Sequence, residues 1–316
     1  MILNIRIYLL LFICLSFITD IQAQQLQFSK QKIEQGYHFS YQWLDNTKTQ
    51  QSLDFSLTET ALFDRFRKFK TYQPTLVKKV IYQAIQKHLQ QTPIAGVQVI
   101  FPKNSHNQNI EIKGRNQAQV NQAYQKVSQL EQKFSQQYLT DNYYHQFTTY
   151  DQITGVKPHH TAIANASIGD LKTIKPLILD KVSIQNIRLV TNYVLGFVQN
   201  IPYSTLESRI SSSGAGFNPP LKVLWENQGD CDSKMTLTAA ILRALMPRIS
   251  MVFVYSEQHA FIGIAIPPEA GDMTVTENDM TYVLAEPTGP ALLNLGKLSP
   301  ASEQAIYRGH YGLEVY

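Results

Sequence analysis

Cysteine, histidine and a carboxylate are the side chains of nucleophilic acyl chemistry, and this chain places one of each at the boundary of a regular element. Gly229-Asp230-Cys231-Asp232-Ser233-Lys234 gives way to a run of good helix formers over 235–245. That order predicts the Cys231 sulfur in the first turn of a helix, where unpaired N–H groups and the dipole favour a thiolate. Short β-branched runs then predict strands over 249–255 and 259–267, and after a polar loop a third strand runs from Thr281 into Glu286-Pro-Thr-Gly-Pro. Short connections make such strands antiparallel neighbours. With Ile266 opposite Thr281, His259 falls opposite Thr288, and Glu286 ends its strand beside the imidazole. The expected site is a Cys231-His259-Glu286 triad. Cys231 attacks a carbonyl, His259 accepts and returns the proton, and Glu286 orients the ring.

Asp230 and Asp232 flank the thiol and read as helix caps rather than chemistry. Two carboxylates beside a thiolate oppose its ionisation, so His259 must supply the compensation, and Lys234 one turn on softens the repulsion.

Residues 1–23 read as a secretory signal peptide. Arg6 gives the positive start, residues 7–18 the apolar centre, and Ile21-Gln-Ala23 the small-residue cleavage site. The expectation is an exported protein, periplasmic or extracellular, with no stable membrane span after cleavage. Of two cysteines, Cys14 leaves with the signal, so Cys231 has no partner within the mature chain. A lone cysteine in an oxidising compartment, in this context, is read as a working thiol. A net charge of +4 with scattered lysines argues against nucleic acid as a partner.

The elements that must carry this site begin with an aromatic hairpin. Tyr37, Phe39, Tyr41 and Trp43 alternate, Asp45-Asn46 turns, and Leu53, Phe55 and Leu57 alternate again, a face assigned to core. A helix from Pro74, a strand pair over 97–101 and 109–112, and a long polar helix over 116–144 follow. Short helices are expected around 161–165 and 168–174, then one capped by Ser183 and ending near Gln199. The fold class is α+β, divided as signal 1–23, an N-terminal α+β unit 24–115, a connecting helix 116–150 and a catalytic domain 151–316.

Gly-Asp-Cys at a helix head, His259-Ala260 opening a strand and Glu286 followed by Pro-Thr-Gly resemble the transglutaminase-like superfamily. So does the upstream run Phe197-Val-Gln-Asn-Ile-Pro-Tyr203. The resemblance spans 156–289 and departs from the pattern at Glu286, where most transglutaminases carry Asp. It implies a papain-like core, with the cysteine helix packed on an antiparallel sheet that bears the His and the acid. It also implies a protein or peptide substrate, with the acyl-enzyme resolved by water in a peptidase or amidase, or by an amine in a transglutaminase. Gln199 is then a candidate oxyanion donor with the Cys231 N–H, or equally a buried Gln holding a turn. Trp225 either walls the acyl pocket or packs beneath the cysteine loop. A non-catalytic scaffold that binds a partner protein or peptide in the envelope is the alternative.

No cofactor is expected. His159-His160 lack the spacing of a metal site, and the acidic loop with Glu269, Asp272, Glu277 and Asp279 lacks that of a calcium loop.

Overall fold

The computed structural model describes residues 23–102, 109–208, 216–257 and 259–316. The proposed signal segment, apart from Ala23, lies outside the described residues.

In chain order the elements are β1 (Gln24–Ile33), β2 (Gly36–Leu44), β3 (Gln50–Thr58), α1 (Pro74–Gln91), β4 (Val97–Ile100), β5 (Glu111–Gly114), α2 (Gln117–Asp141), β6 (Tyr144–Thr148) and β7 (Thr154–Pro158). There follow α3 (His160–Leu171), α4 (Lys175–Leu179), α5 (Ile187–Gln199), α6 (Pro220–Glu226), α7 (Cys231–Leu245), β8 (Met251–Tyr255), β9 (Ala260–Ile264), β10 (Thr274–Glu277), β11 (Met280–Ala285), α8 (Pro300–Arg308) and β12 (Gly312–Val315). The architecture is mixed α+β with antiparallel sheets.

The largest sheet has the order β10-β11-β9-β8-β12. Its β9–β11 register pairs Ile264 with Val283 and Ile262 with Ala285, the alignment expected from Ile266 opposite Thr281. The loop expected over 268–280 instead contains β10, which folds onto β11 as a hairpin. The C-terminal β12 comes back to pair with β8, Leu313 lying opposite Val254. Helix α7 is buried along almost its whole length from Ser233 to Leu245 and packs on α3, α5, α6 and β9.

The aromatic hairpin pairs as its alternation requires, with Phe39 opposite Phe55 and Tyr41 opposite Leu53. A third strand, β1, covers its edge, pairing Phe28 with Tyr41. The polar composition of β1 gave no periodic signal. The aromatic face is core, but not the core of a separate N-terminal unit. Trp43 packs on Phe197 at 5.4 Å between ring centres, and the Tyr41 hydroxyl donates to the Leu224 carbonyl at 2.9 Å. Phe39, Tyr41, Trp43, Phe55, Phe197, Met235, Phe253 and Ile262 share one apolar cluster. The expected division at 24–115 is therefore redrawn. The three-stranded sheet belongs to the main core, whereas α1, α2, β4 and β5 enclose two small clusters of their own, around Ile85 and around Val127.

Two local expectations are corrected. Residues 160–171 form one helix rather than two short ones. Helix α5 starts at Ile187 with Asn186 as its cap, accepting from the Leu189 N–H at 3.0 Å, whereas the Ser183 hydroxyl accepts only from the Gln185 N–H at 3.4 Å. Ahead of the cysteine turn, residues 220–226 form helix α6, begun by Pro220 and ended by Asn227 in the left-handed region. Among the described residues no helix is long and apolar enough to cross a membrane.

Candidate active site

The cysteine turn is held from three sides. Asp230 caps α7, its Oδ1 accepting from the Ser233 N–H at 3.0 Å. Gly229 donates to the Pro202 carbonyl at 3.2 Å and accepts from the Ser204 N–H at 3.2 Å, which ties the turn to the Asn-Ile-Pro-Tyr segment. A side chain at Gly229 would meet Ser233, Lys234 and Val223 within 3.4 Å. The Ser233 hydroxyl accepts from the Asn218 N–H at 2.8 Å. These constraints deliver the Cys231 sulfur, half-buried, to the floor of a cleft of about 750 Å3.

His259 is aimed by its own turn. Its carbonyl accepts from the Ser256 N–H at 2.9 Å, and its N–H donates to the Ser256 hydroxyl at 3.2 Å. The ring brings Nδ1 to 3.8 Å from Cys231 Sγ and to 3.8 Å from Glu286 Oε1. The sequence-derived trio thus converges, but through one nitrogen. Nδ1 can exchange a proton with the sulfur or meet the carboxylate, and it does not bridge them as a linear relay. The contact with sulfur is within hydrogen-bond reach, whereas the approach to the carboxylate is longer than a nitrogen–oxygen hydrogen bond. Glu286 is buried, with Oε2 fixed by the Ser299 N–H at 2.9 Å, so its free oxygen is the one that faces the imidazole.

The electrostatics favour a resting thiol. Burial pushes the Cys231 thiol up; the Thr288 hydroxyl and the Ala260 N–H pull the other way, and the Asp230 and Asp232 charges add to the rise. Thr288 Oγ1 is buried without a partner of full hydrogen-bond geometry, which leaves it free to serve the sulfur. Lys234 lies fully buried in the same helix, its ammonium donating to the Ile201 carbonyl. Burial lowers it to about 7 against the opposing pull of Cys231 and Asp230. Asp230 is pushed up as well, by burial outweighing its bonds to Ser233.

Two expected roles are not supported by position. The Gln199 amide donates to the Glu286 carbonyl at 2.9 Å and to the Leu293 carbonyl at 2.8 Å. Both of its hydrogens are committed, so it braces the acid strand and has none left for an oxyanion. The buried-Gln alternative is the one the geometry matches. Gly289 is part of this brace, since a Cβ there would fall 2.1 Å from the Gln199 carbonyl oxygen. Trp225 packs edge-on against Tyr37 and Phe63 with the Lys30 ammonium 3.8 Å over its ring, among the residues of the three-stranded sheet. It lines a separate groove and not the cleft at Cys231.

Other residues of the cleft had no sequence signal. Glu314 comes from β12, where Lys157 Nζ pairs with its Oε2 at 2.9 Å and the Thr161 hydroxyl donates to its Oε1 at 3.1 Å. His145, His159 and Glu314 bring ligand-type atoms within 4.8 Å of one another, the one such group among the described residues. The Lys157 ammonium already neutralises that carboxylate, and the His159 Nδ1 accepts from the Ala162 N–H at 3.3 Å as a helix cap. In the acidic loop, Asp272 is paired with Arg188 at 2.7 Å. His160, adjacent to His159, faces the other way and is fully buried against Tyr255.

No protein-family model matches the chain, and no curated protein matches it at a significant level.

Proposed function

We propose that this chain is an exported cysteine-dependent acyl-transfer enzyme of the transglutaminase-like superfamily, acting as a peptidase or amidase on protein or peptide amides. The observation that carries the reading is Cys231 Sγ 3.8 Å from His259 Nδ1, with the buried Glu286 carboxylate 3.8 Å from the same nitrogen, at the floor of an open cleft. The packing of α7 against β9, with His259 entering β9 and Glu286 leaving β11, suits the papain-like core that the resemblance implies.

His259 accepts the thiol proton as Cys231 Sγ bonds to the carbonyl carbon. The oxyanion forms beside the first turn of α7, whose N–H groups have no intrahelical acceptor. The imidazolium then protonates the leaving amine as the carbon–nitrogen bond breaks. Water attacks the thioester, passes a proton to His259, and the thiolate leaves and is reprotonated. An amine in place of water makes the same site a transglutaminase. The raised thiol sustains one other reading, a non-catalytic scaffold that binds peptide in this cleft.

The test is hydrolysis of a mixed peptide library followed by mass spectrometry, with and without added primary amine. Cleaved or deamidated products with the wild type and none with Cys231→Ala support the enzyme, and amine adducts select transamidation. Binding of peptide without turnover by either protein supports the scaffold.

A further inference from the structure

The cleft is short of positive charge. Asp151, Asp230, Asp232 and Glu257 line it, and among the described residues none lies within salt-bridge distance of a lysine or arginine. Lys157, which shares the lining, is committed to Glu314.

Asp232 differs from the other three in what stands behind it. His160, with no exposed surface, has Nδ1 2.8 Å from the Tyr255 hydroxyl and Nε2 3.8 Å from Asp232 Oδ2. Nε2 is buried and has no full hydrogen bond. The ring shares a hydrogen bond with the Tyr255 hydroxyl through Nδ1, and its other nitrogen faces the carboxylate. Burial, with the charges of Lys157, His145 and His159, holds His160 well below its ordinary value, so the ring is a neutral imidazole and supplies no counter-charge. The carboxylate is backed by a buried neutral ring and, among the described residues, has no lysine or arginine within salt-bridge distance. Tyr203, half exposed on the cleft wall, lies within electrostatic reach of Asp230 and Asp232 and offers an aromatic surface beside them.

We propose that Asp232, backed by the neutral ring of His160, forms a subsite for a cationic side chain, so that the preferred substrate is a peptide carrying lysine or arginine next to the amide that Cys231 attacks. The assignment rests on the acyl-transfer reading for its chemistry, but the subsite itself is a binding property. Burial and the Asp230 charge, opposed by Lys157, raise Asp232 to about 7, although 38% of its side-chain surface still faces the cleft. The groups around Asp232 are Asp230 and Cys231 on its own turn, His160 on α3, Lys157 on β7, Tyr255 on β8 and Tyr203. Asp232 gains charge as pH rises through the neutral range, so preference for a cation grows in that direction.

The experiment measures binding of fluorescent alanine-based pentapeptides that carry lysine, arginine or norleucine at each position in turn, using Cys231→Ala so that nothing is turned over. The expected result is about 10-fold tighter binding of the best lysine or arginine peptide than of its norleucine counterpart at pH 8. The preference shrinks at pH 6 and is lost in Cys231→Ala/Asp232→Asn, with norleucine binding unchanged. Equal binding of charged and neutral peptides, no binding of any peptide, or a preference that survives Asp232→Asn overturns the subsite. Turnover by the wild type without charge preference would leave the acyl-transfer reading standing alone. Charge-selective binding with no turnover would leave the subsite standing without it.

Discussion

Cys231, His259 and Glu286 meet because each sits at the end of an element whose position is fixed by something else: a capped helix, a serine-stapled turn and a carboxylate anchored by a backbone N–H. Glu286 supplies one oxygen to Ser299 and turns the other to the imidazole, so under the proposed function a glutamate can fill the place where the resemblance leads one to expect aspartate. Glu286→Gln keeps the size and the Ser299 contact but removes the charge facing the ring. The expected outcome is a fall in kcat of about 10²-fold or more with little change in melting temperature, read from initial rates and thermal unfolding. Gln199→Ala should do the reverse. It leaves the Glu286 and Leu293 carbonyls without their donor in a buried place, costing about 2–5 kcal/mol in denaturant unfolding, while activity per folded molecule changes little. A fall in kcat at unchanged stability would return Gln199 to the oxyanion.

Helix α7 carries both the proposed nucleophile at its first residue and a buried lysine one turn further on. Lys234 is lowered from 10.5 to about 7 by burial, so between those values the unfolded chain holds a proton that the folded chain does not. Stability therefore rises with pH across that window, and below about pH 7 the cost of charging the lysine in the folded state is constant. The stability of the wild type relative to Lys234→Met should climb between about pH 7 and 10.5 by up to about 1.4 kcal/mol per pH unit. Denaturant melts of the two proteins across that range check it, and a flat difference would mean Lys234 is charged throughout.

Across the whole molecule, the aromatic sheet and the cysteine helix share one core, while α1 and α2 pack mainly on each other and on small strands. Trp43→Ala should cost about 3–5 kcal/mol and lower activity and melting temperature together, although Trp43 is not part of the cleft. Ile85→Ala should raise hydrogen exchange in α1 and α2 with much smaller effects on α7 and β9. What was legible in the sequence was what is local. The alternation of Tyr37 to Trp43, the helix following Cys231 and the register that brings Glu286 to His259 follow from period and short connection length. Three features were not legible, because each depends on long-range pairing that leaves no period in the chain. They are the polar β1, the return of β12 that carries Glu314 to the cleft, and the engagement of both Gln199 hydrogens. Trp225 was placed by its distance along the chain from Cys231, and the fold turns it toward Tyr37 instead.

The pairing of Cys231 with His259 is tested most directly by the pH dependence of iodoacetamide alkylation, followed by mass spectrometry of Cys231 in the wild type and in His259→Ala. Burial raises the thiol, so without the imidazole alkylation should climb only in alkaline solution. The predicted result is neutral-pH alkylation of the wild type about 10²-fold faster than that of His259→Ala, with the two rates converging above about pH 10. Superimposable profiles at every pH would contradict a nucleophile–base pair at this site.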